Sequence, residues 1–174
     1  SSFEKIRNIC KSFKFIQYEF TGQKKNKEIL KFYAENYIDI FIKNDYIDLK
    51  QIAESGQCFR WKKICPGRYF VISDGRAACF FQEKTGIRIL CHEKDEEYFR
   101  RYLDLDTDYE KIIEQIDPED RFLSGAAKMG KGIRILRQDL WEMMISFIIS
   151  QRNNIPRIMK SIDALCEKLG EKIV

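Results

Sequence analysis

The stretch that decides the reading is Phe147-Ile148-Ile149-Ser150-Gln151-Arg152-Asn153-Asn154-Ile155-Pro156-Arg157. To its left, from Leu140, runs an almost wholly apolar segment; to its right, as far as Gly170, runs an amphipathic one. Between them stand five polar side chains, Ser150 to Asn154, all able to hydrogen-bond. An apolar helix that ends in a packed polar elbow is a way to hold donors rigidly against a ligand.

Both flanks read as helices. Asp139 is placed to cap the first, with Glu142 three residues on to complete a capping box. Trp141, Met144, Ile145 and Ile148 follow a helical period, and Met143, Phe147 and Ile149 fill most of the rest. Such a helix, apolar nearly all round, is expected to be buried. It is too short and too interrupted to span a membrane. The second helix takes Asn154 as its cap and tolerates Pro156 in its first turn. Ile155, Ile158, Ile162, Leu165, Cys166 and Leu169 make one apolar stripe, and Gly170 is a stop signal. One reading of Asn153 and Asn154 is that they only cap a helix. One cap needs one Asn, however, and this elbow has two, with Arg152 and Arg157 beside them. Arg and Asn at a helix N-terminus suit phosphates and base edges alike.

The 174 residues are 44% apolar and 33% charged, enough for one good core, or one domain and part of another. A net charge of +4 is compatible with nucleic acid without demanding it. Six cysteines (Cys10, Cys58, Cys65, Cys79, Cys91, Cys166) form no C-x-x-C pair. With no signal peptide to read, they imply reduced thiols in a cytoplasmic protein, nucleoid-associated if bacterial. The single histidine, His92, has one close Cys neighbour, so no metal site is expected.

Residues 1–35 read as a basic leader, helical or mobile, with Lys24, Lys25 and Lys27 around Thr21-Gly22-Gln23. From Asn36 the period changes to alternation, over Tyr37–Ile42. Tyr69–Ile72, Ala77–Gln82 and Ile87–Cys91 follow as apolar runs. Asp74-Gly75 between two of them is a strong hairpin signal. Residues 37–91 therefore read as an antiparallel sheet of about four to six strands. Asp48–Ala53 makes one or two helical turns. Helices are expected at Glu96–Leu103, Asp108–Ile116 and Arg121–Met129. Sheet first and helices after is an α+β layout.

A second dense run is Ser55-Gly56-Gln57-Cys58-Phe59-Arg60-Trp61. Gly56 in a strand-like run allows a bulge or the close approach of another group. Phe59 and Trp61 face one side if the strand is regular; core aromatics and a bulge glycine are the plain alternative.

These two motifs, with Gly132-Ile133-Arg134-Ile135-Leu136-Arg137-Gln138-Asp139 just before the apolar helix, closely resemble the 8-oxoguanine DNA glycosylase family from about Tyr37 to Gly170. The resemblance implies an antiparallel, TBP-like β domain over 36–130, followed from 131 to 174 by the start of a helix-hairpin-helix glycosylase domain, truncated. It implies base-excision repair of oxidised guanine in duplex DNA. The damaged base is flipped out, its N-glycosidic bond is cut, and the abasic site is often nicked by an associated lyase step. By the same resemblance Gly56 accepts, through its carbonyl, the extra N7–H of oxidised guanine, and Gln57, Phe59 and Phe147 join it in base recognition. Gln151, Arg152, Asn153, Asn154 and Arg157 become the DNA-binding elbow, which fills the gap and reads the stranded cytosine. The family often has three Asn in a row; here Arg152 replaces the first, and an Arg brings donors only.

The family's nucleophilic Lys and its catalytic Asp lie beyond the elbow, so no catalytic residue is assigned within these 174. Gly130-Lys131-Gly132-Ile133 mimics the family's hairpin but lies upstream of the elbow. No metal or organic cofactor is implied. The expected partner is double-stranded DNA containing oxidised guanine, with no membrane. A non-catalytic DNA-binding module, half of a split enzyme, and a glycosylase for alkylated bases stay as alternatives. An apolar helical face uncovered by the family's later helices is expected to drive self-association. Light scattering at high protein concentration should then detect species above the monomer; a monodisperse monomer would count against it.

Overall fold

The computed structural model describes residues 37–169. The expected leader, 1–35, lies outside them. Five strands form one antiparallel sheet: β1 Tyr37–Lys43, β2 Trp61–Cys65, β3 Arg68–Ser73, β4 Arg76–Glu83 and β5 Gly86–His92, in the order β1-β5-β4-β3-β2. Strands β2 to β5 form a meander of successive hairpins, and β1 closes the far edge beside β5.

Turn chemistry sets the register. Ser73 pairs with Arg76 across Asp74-Gly75, and both turn residues have positive φ, 47° and 72°. A two-residue turn of that kind matches the twist of the strands it joins. At the β4–β5 hairpin Gly86 pairs with Lys43 of β1 and has φ +148°; a Cβ there would come within 2.0 Å of the Ile42 carbonyl oxygen. Only glycine fits where two strands meet that closely.

One face of the sheet carries the main core. Tyr69, Val71, Ala78, Phe80, Ile87, Ile89 and Cys91 are buried on it. Helix α1 (Leu49–Glu54) covers them with Leu49 and Ile52, and helix α2 (Glu96–Tyr102) with Phe99 and Tyr102. Trp61 lies edge-on to Phe80 at 5.3 Å and donates its indole N–H to the Tyr102 hydroxyl at 2.9 Å. Burial pushes the Tyr102 phenol well above its ordinary pKa. A short 3-10 turn, Glu93–Asp95, precedes α2. Helices α3 (Tyr109–Glu114), α4 (Arg121–Met129), α5 (Leu140–Ser150) and α6 (Ile155–Leu169) follow. Asp side chains cap α1, α3, α4 and α5, each accepting backbone N–H groups of the first turn.

The segment between α4 and α5 is not helical, yet it is among the most tightly held. Residues alternate: Lys131, Ile133, Ile135 and Arg137 are exposed, while Gly132, Arg134 and Leu136 are buried. The Gly132 carbonyl accepts from Asp48 N–H at 2.8 Å, and Arg137 N–H donates to the Tyr102 carbonyl at 2.9 Å. Arg134 is 0% exposed. Its guanidinium donates to four backbone carbonyls: Leu103 at 2.9 Å, Tyr46 at 3.1 Å, Thr107 at 2.8 Å, and Asp104. The Tyr109 ring stacks 4.2 Å away. Burial lowers the pKa of this guanidinium, opposed by Tyr109, Asp104 and Asp108.

Replacing Arg134 by Met strands those carbonyls in the interior, each costing about 1–3 kcal/mol. Arg134→Met should lose at least ~3 kcal/mol in urea unfolding. Arg134→Lys should recover only part, because an ammonium lacks the planar fork. A loss under ~1 kcal/mol for the Met variant would contradict the tie.

Candidate functional site

The run Ser55–Trp61 is not a strand as expected; β2 begins only at Trp61. Its residues leave in four directions. Gln57 pairs with the α4–α5 linker as a strand neighbour would: its amide nitrogen donates to the Arg134 carbonyl and its amide oxygen accepts from Leu136 N–H, both at 2.9 Å. Gln138 in turn donates to the Gln57 carbonyl at 2.5 Å. Cys58 enters the main core beside Trp61, where burial pushes its thiol up to about 12. Phe59 instead packs on the small cluster of Ile158, Ile162 and Cys166 from α6. Phe59 and Trp61 therefore serve two separate cores rather than one side, because the backbone is irregular just before β2. Arg60 turns to α5.

Arg60 meets Glu142, both 7% exposed, in a buried ion pair. Glu142 also accepts Asp74 N–H at 2.8 Å. Burial raises the pKa of this carboxylate, although Arg60 and the Asp74 N–H pull it down. The Asp139 cap is present, accepting from Trp141 and Glu142 N–H at 3.0 and 3.1 Å. The expected capping box is not completed, because Glu142 is recruited inward by Arg60 and the β3–β4 turn. This pairing was missed from sequence; the signal for it was one carboxylate in an otherwise apolar run.

Helix α5 is two-faced rather than buried, which corrects the expectation. Glu142, Ile145, Ser146 and Ile149 lie inward at helical spacing. On the other side Leu140, Met143, Met144, Phe147 and Ile148 are exposed, Phe147 by 65%. A single contact line, held at one end by the ion pair and at the other by α6, covers only half of the helix.

The elbow at the end of α5 is shaped by its own polar groups. Ser150 Oγ and Gln151 Nε2 donate to the Phe147 carbonyl at 2.7 and 3.2 Å. Asn153 Nδ2 donates to the Ile149 carbonyl at 3.0 Å, closing α5, and Asn153 Oδ1 accepts Asn154 N–H at 3.0 Å. Asn154 Oδ1 accepts Arg157 N–H at 3.1 Å, capping α6 as expected. Arg152, between them, has φ +50°, a conformation rare for a residue with a side chain. Both Asn residues thus do structural work, and each supports one helix end. Gln151, Arg152, Asn154 and Arg157 are exposed. Neither the Arg152 nor the Arg157 guanidinium has an ion pair among the described residues.

Gly56 is exposed with φ +78°, and a Cβ placed on it would meet nothing within 4 Å. Glycine is there for its backbone angle, and the space in front of it is open. Among the described residues no group of His, Cys, Asp and Glu is arranged to hold a metal ion, and no helix is long and apolar enough to cross a membrane.

Residues 39–144 match the family described as 8-oxoguanine DNA glycosylase, N-terminal domain. The chain is 28% identical over 148 residues to a Saccharomyces cerevisiae N-glycosylase/DNA lyase, covering 72% of this chain and 37% of that one. MBOgg1, solved with a low-affinity DNA ligand, is 37% identical with a TM-score of 0.63, over 72% of this chain and 43% of the other. The apo form of the Clostridium acetobutylicum 8-oxoguanine glycosylase/lyase is 33% identical with a TM-score of 0.64, over 72% and 44%. The chain thus spans well under half the length of these relatives.

The joint between the two parts has a direct test. Glu142→Ala leaves the Arg60 cation buried without its carboxylate and should cost about 3–5 kcal/mol in urea unfolding. The double variant Arg60→Met, Glu142→Met should lose much less than the two single changes added together. Additive losses would show that the two do not act as a pair.

Proposed function

This chain belongs to the 8-oxoguanine DNA glycosylase family, and we propose that it carries the damage-recognition and DNA-gripping part of a base-excision repair enzyme. The activity we propose for the whole protein is flipping of oxidised guanine from duplex DNA, cleavage of its N-glycosidic bond, and an associated abasic-site lyase step. The relatives' names support it: N-glycosylase/DNA lyase in yeast, and a Clostridium acetobutylicum glycosylase/lyase solved on duplex DNA with cytosine opposite 8-oxoG. The catalytic Lys and Asp belong to a hairpin beyond the elbow, and no residue of this chain is given their role.

The observation that carries the proposal is the shared frame. The loop of Gly56 and the helix that ends in the elbow are joined by the Arg60–Glu142 pair, so both are set on one support. A base outside the stack is read by hydrogen bonds to its edge, and the gap it leaves must be filled. The Gly56 carbonyl is our acceptor for N7–H, which is present in oxidised guanine and absent from guanine. Phe59 and Phe147 supply apolar surface for base recognition. Gln57 acts from behind, through the linker it holds. At the elbow Arg152 and Arg157 offer donors to the stranded cytosine, and Gln151, Asn153 and Asn154 fill the gap and fix its shape. We divide the chain into a β domain over 36–130 and the start of a helical glycosylase domain from 131, the linker being shared between them. Cytoplasmic or nucleoid location is our reading, supported by five free cysteines among the described residues.

Fluorescence anisotropy at low salt tests the reading. The chain should bind a duplex with 8-oxoguanine opposite cytosine more tightly than the undamaged duplex. Arg157→Ala should weaken binding to the damaged duplex by about 1–3 kcal/mol. Gly56→Ala, strained at its positive φ, should erase the preference for the oxidised base. Equal binding of both duplexes by the wild type would sink the recognition role. Excision should appear only in a longer chain that includes the family's hairpin, and no cleavage by such a chain would sink the enzymatic one.

A further inference from the structure

Helix α6 divides its residues by chemistry. Ile158, Ile162 and Cys166 are buried against Phe59, with Leu165 beside them. Arg157, Lys160, Ser161, Ala164 and Lys168 are all exposed. At 3.6 residues per turn, Arg157, Ser161, Ala164 and Lys168 lie nearly in line along the helix, and Lys160 stands about 60° to one side. None of these three cations has an ion pair among the described residues. The helix's acids, Asp163 and Glu167, stand on the flank that carries Lys160, and the line from Arg157 to Lys168 is free of them. Asp163 is half-buried, and burial raises its pKa against the opposing pull of Lys62 from β2; Glu167, exposed one turn on, adds to the rise. Between the cations the side chains are short, Ser161 and Ala164, so a rod-like polyanion can approach the helix closely.

From Arg157 to Lys168 the helix rises about 16 Å, at 1.5 Å per residue. A DNA strand advances roughly 3.4 Å per phosphate along the duplex axis and farther along its winding backbone, so the stripe is long enough to pass more than one phosphate. It starts at the elbow itself, since Arg157 N–H is held by the Asn154 cap. We propose that this face of α6 is a second DNA contact, independent of the lesion: Lys160 and Lys168 lie along the phosphate backbone leading away from the flipped base, and Arg157 joins them to the elbow. The inference rests on the DNA-binding reading above but not on base recognition. Phosphate contacts position a protein on the duplex and carry no sequence information.

The test is the salt dependence of binding to an undamaged duplex and to one with 8-oxoguanine opposite cytosine, between 50 and 200 mM salt. Each phosphate contact contributes about 0.9 to the slope of log K against log salt. The double variant Lys160→Ala, Lys168→Ala should flatten that slope by nearly 2 and lose roughly tenfold or more in affinity at low salt. The loss should be equal on both duplexes, leaving their ratio unchanged. A charge-matched control, Lys84→Ala with Lys94→Ala, should leave the slope close to wild type. An unchanged slope in the Lys160, Lys168 variant overturns the proposal, and so does an equal fall in the control, which would reduce the effect to net charge. If the wild type shows no preference for the oxidised base but the slope still falls, base recognition fails and the backbone contact stands. A wild type that binds neither duplex overturns both. A fall in affinity for an acidic peptide without one for DNA would reassign the stripe to a protein partner and overturn it as well.

Discussion

Arg134 is the constraint on which the arrangement depends. A wholly buried guanidinium is costly to desolvate, and it persists only where its donors are taken up. Here they are taken up by carbonyls of Tyr46, Leu103, Asp104 and Thr107, which come from two places in the chain. The β1–α1 connection, the end of α2 and the α4–α5 linker are drawn together at one side chain. Once the linker is fixed, Gln57 can pair with it, and the loop that carries Gly56 takes its shape. The Gly56 loop is thus positioned from a residue well outside its own motif.

The second half of the frame is electrostatic. Arg60 and Glu142 join the loop to helix α5 with little water nearby. Such a pair adds little net stability over apolar neighbours, but it admits few alternative geometries. That is a fitting property for a joint between the sheet and the helix that ends in the elbow. The elbow follows the same logic on a smaller scale, where two asparagines close one helix and open the next.

Much of this was legible beforehand, and the parts that were not share a cause. The Asp74-Gly75 hairpin, the Asp139 and Asn154 caps and the helix over Arg121–Met129 are set by near neighbours, so local sequence carries them. The fate of Glu142 depends on Arg60, distant in sequence, and a capping box was the nearest local explanation. Phe59 and Trp61 were separated by an irregular backbone that spacing alone does not announce. Helix α5 looked buried because apolar content reports a wish for cover and not its presence; Leu140, Phe147 and Ile148 remain exposed. Arg134 left no trace in periodicity beyond its alternation with Gly132 and Leu136. Of the candidate site residues, Gly56 and the elbow arginines were found in open positions, whereas Gln57 and Phe59 were found engaged in holding the loop.

The strand order carries a kinetic consequence. Strands β2 to β5 zip up through short loops, each pairing with the strand just made. Among the described residues, strand β1 has no local partner. Its pairing runs from Ile38 to Cys91, so it waits until the last strand of the meander exists. Closing so long a loop is slow compared with forming a hairpin. During synthesis the first of these five strands to emerge is therefore the last of them to be paired, and Phe41 and its neighbours spend that interval without β5 beside them. The tight meeting at Gly86 is the latch that ends it.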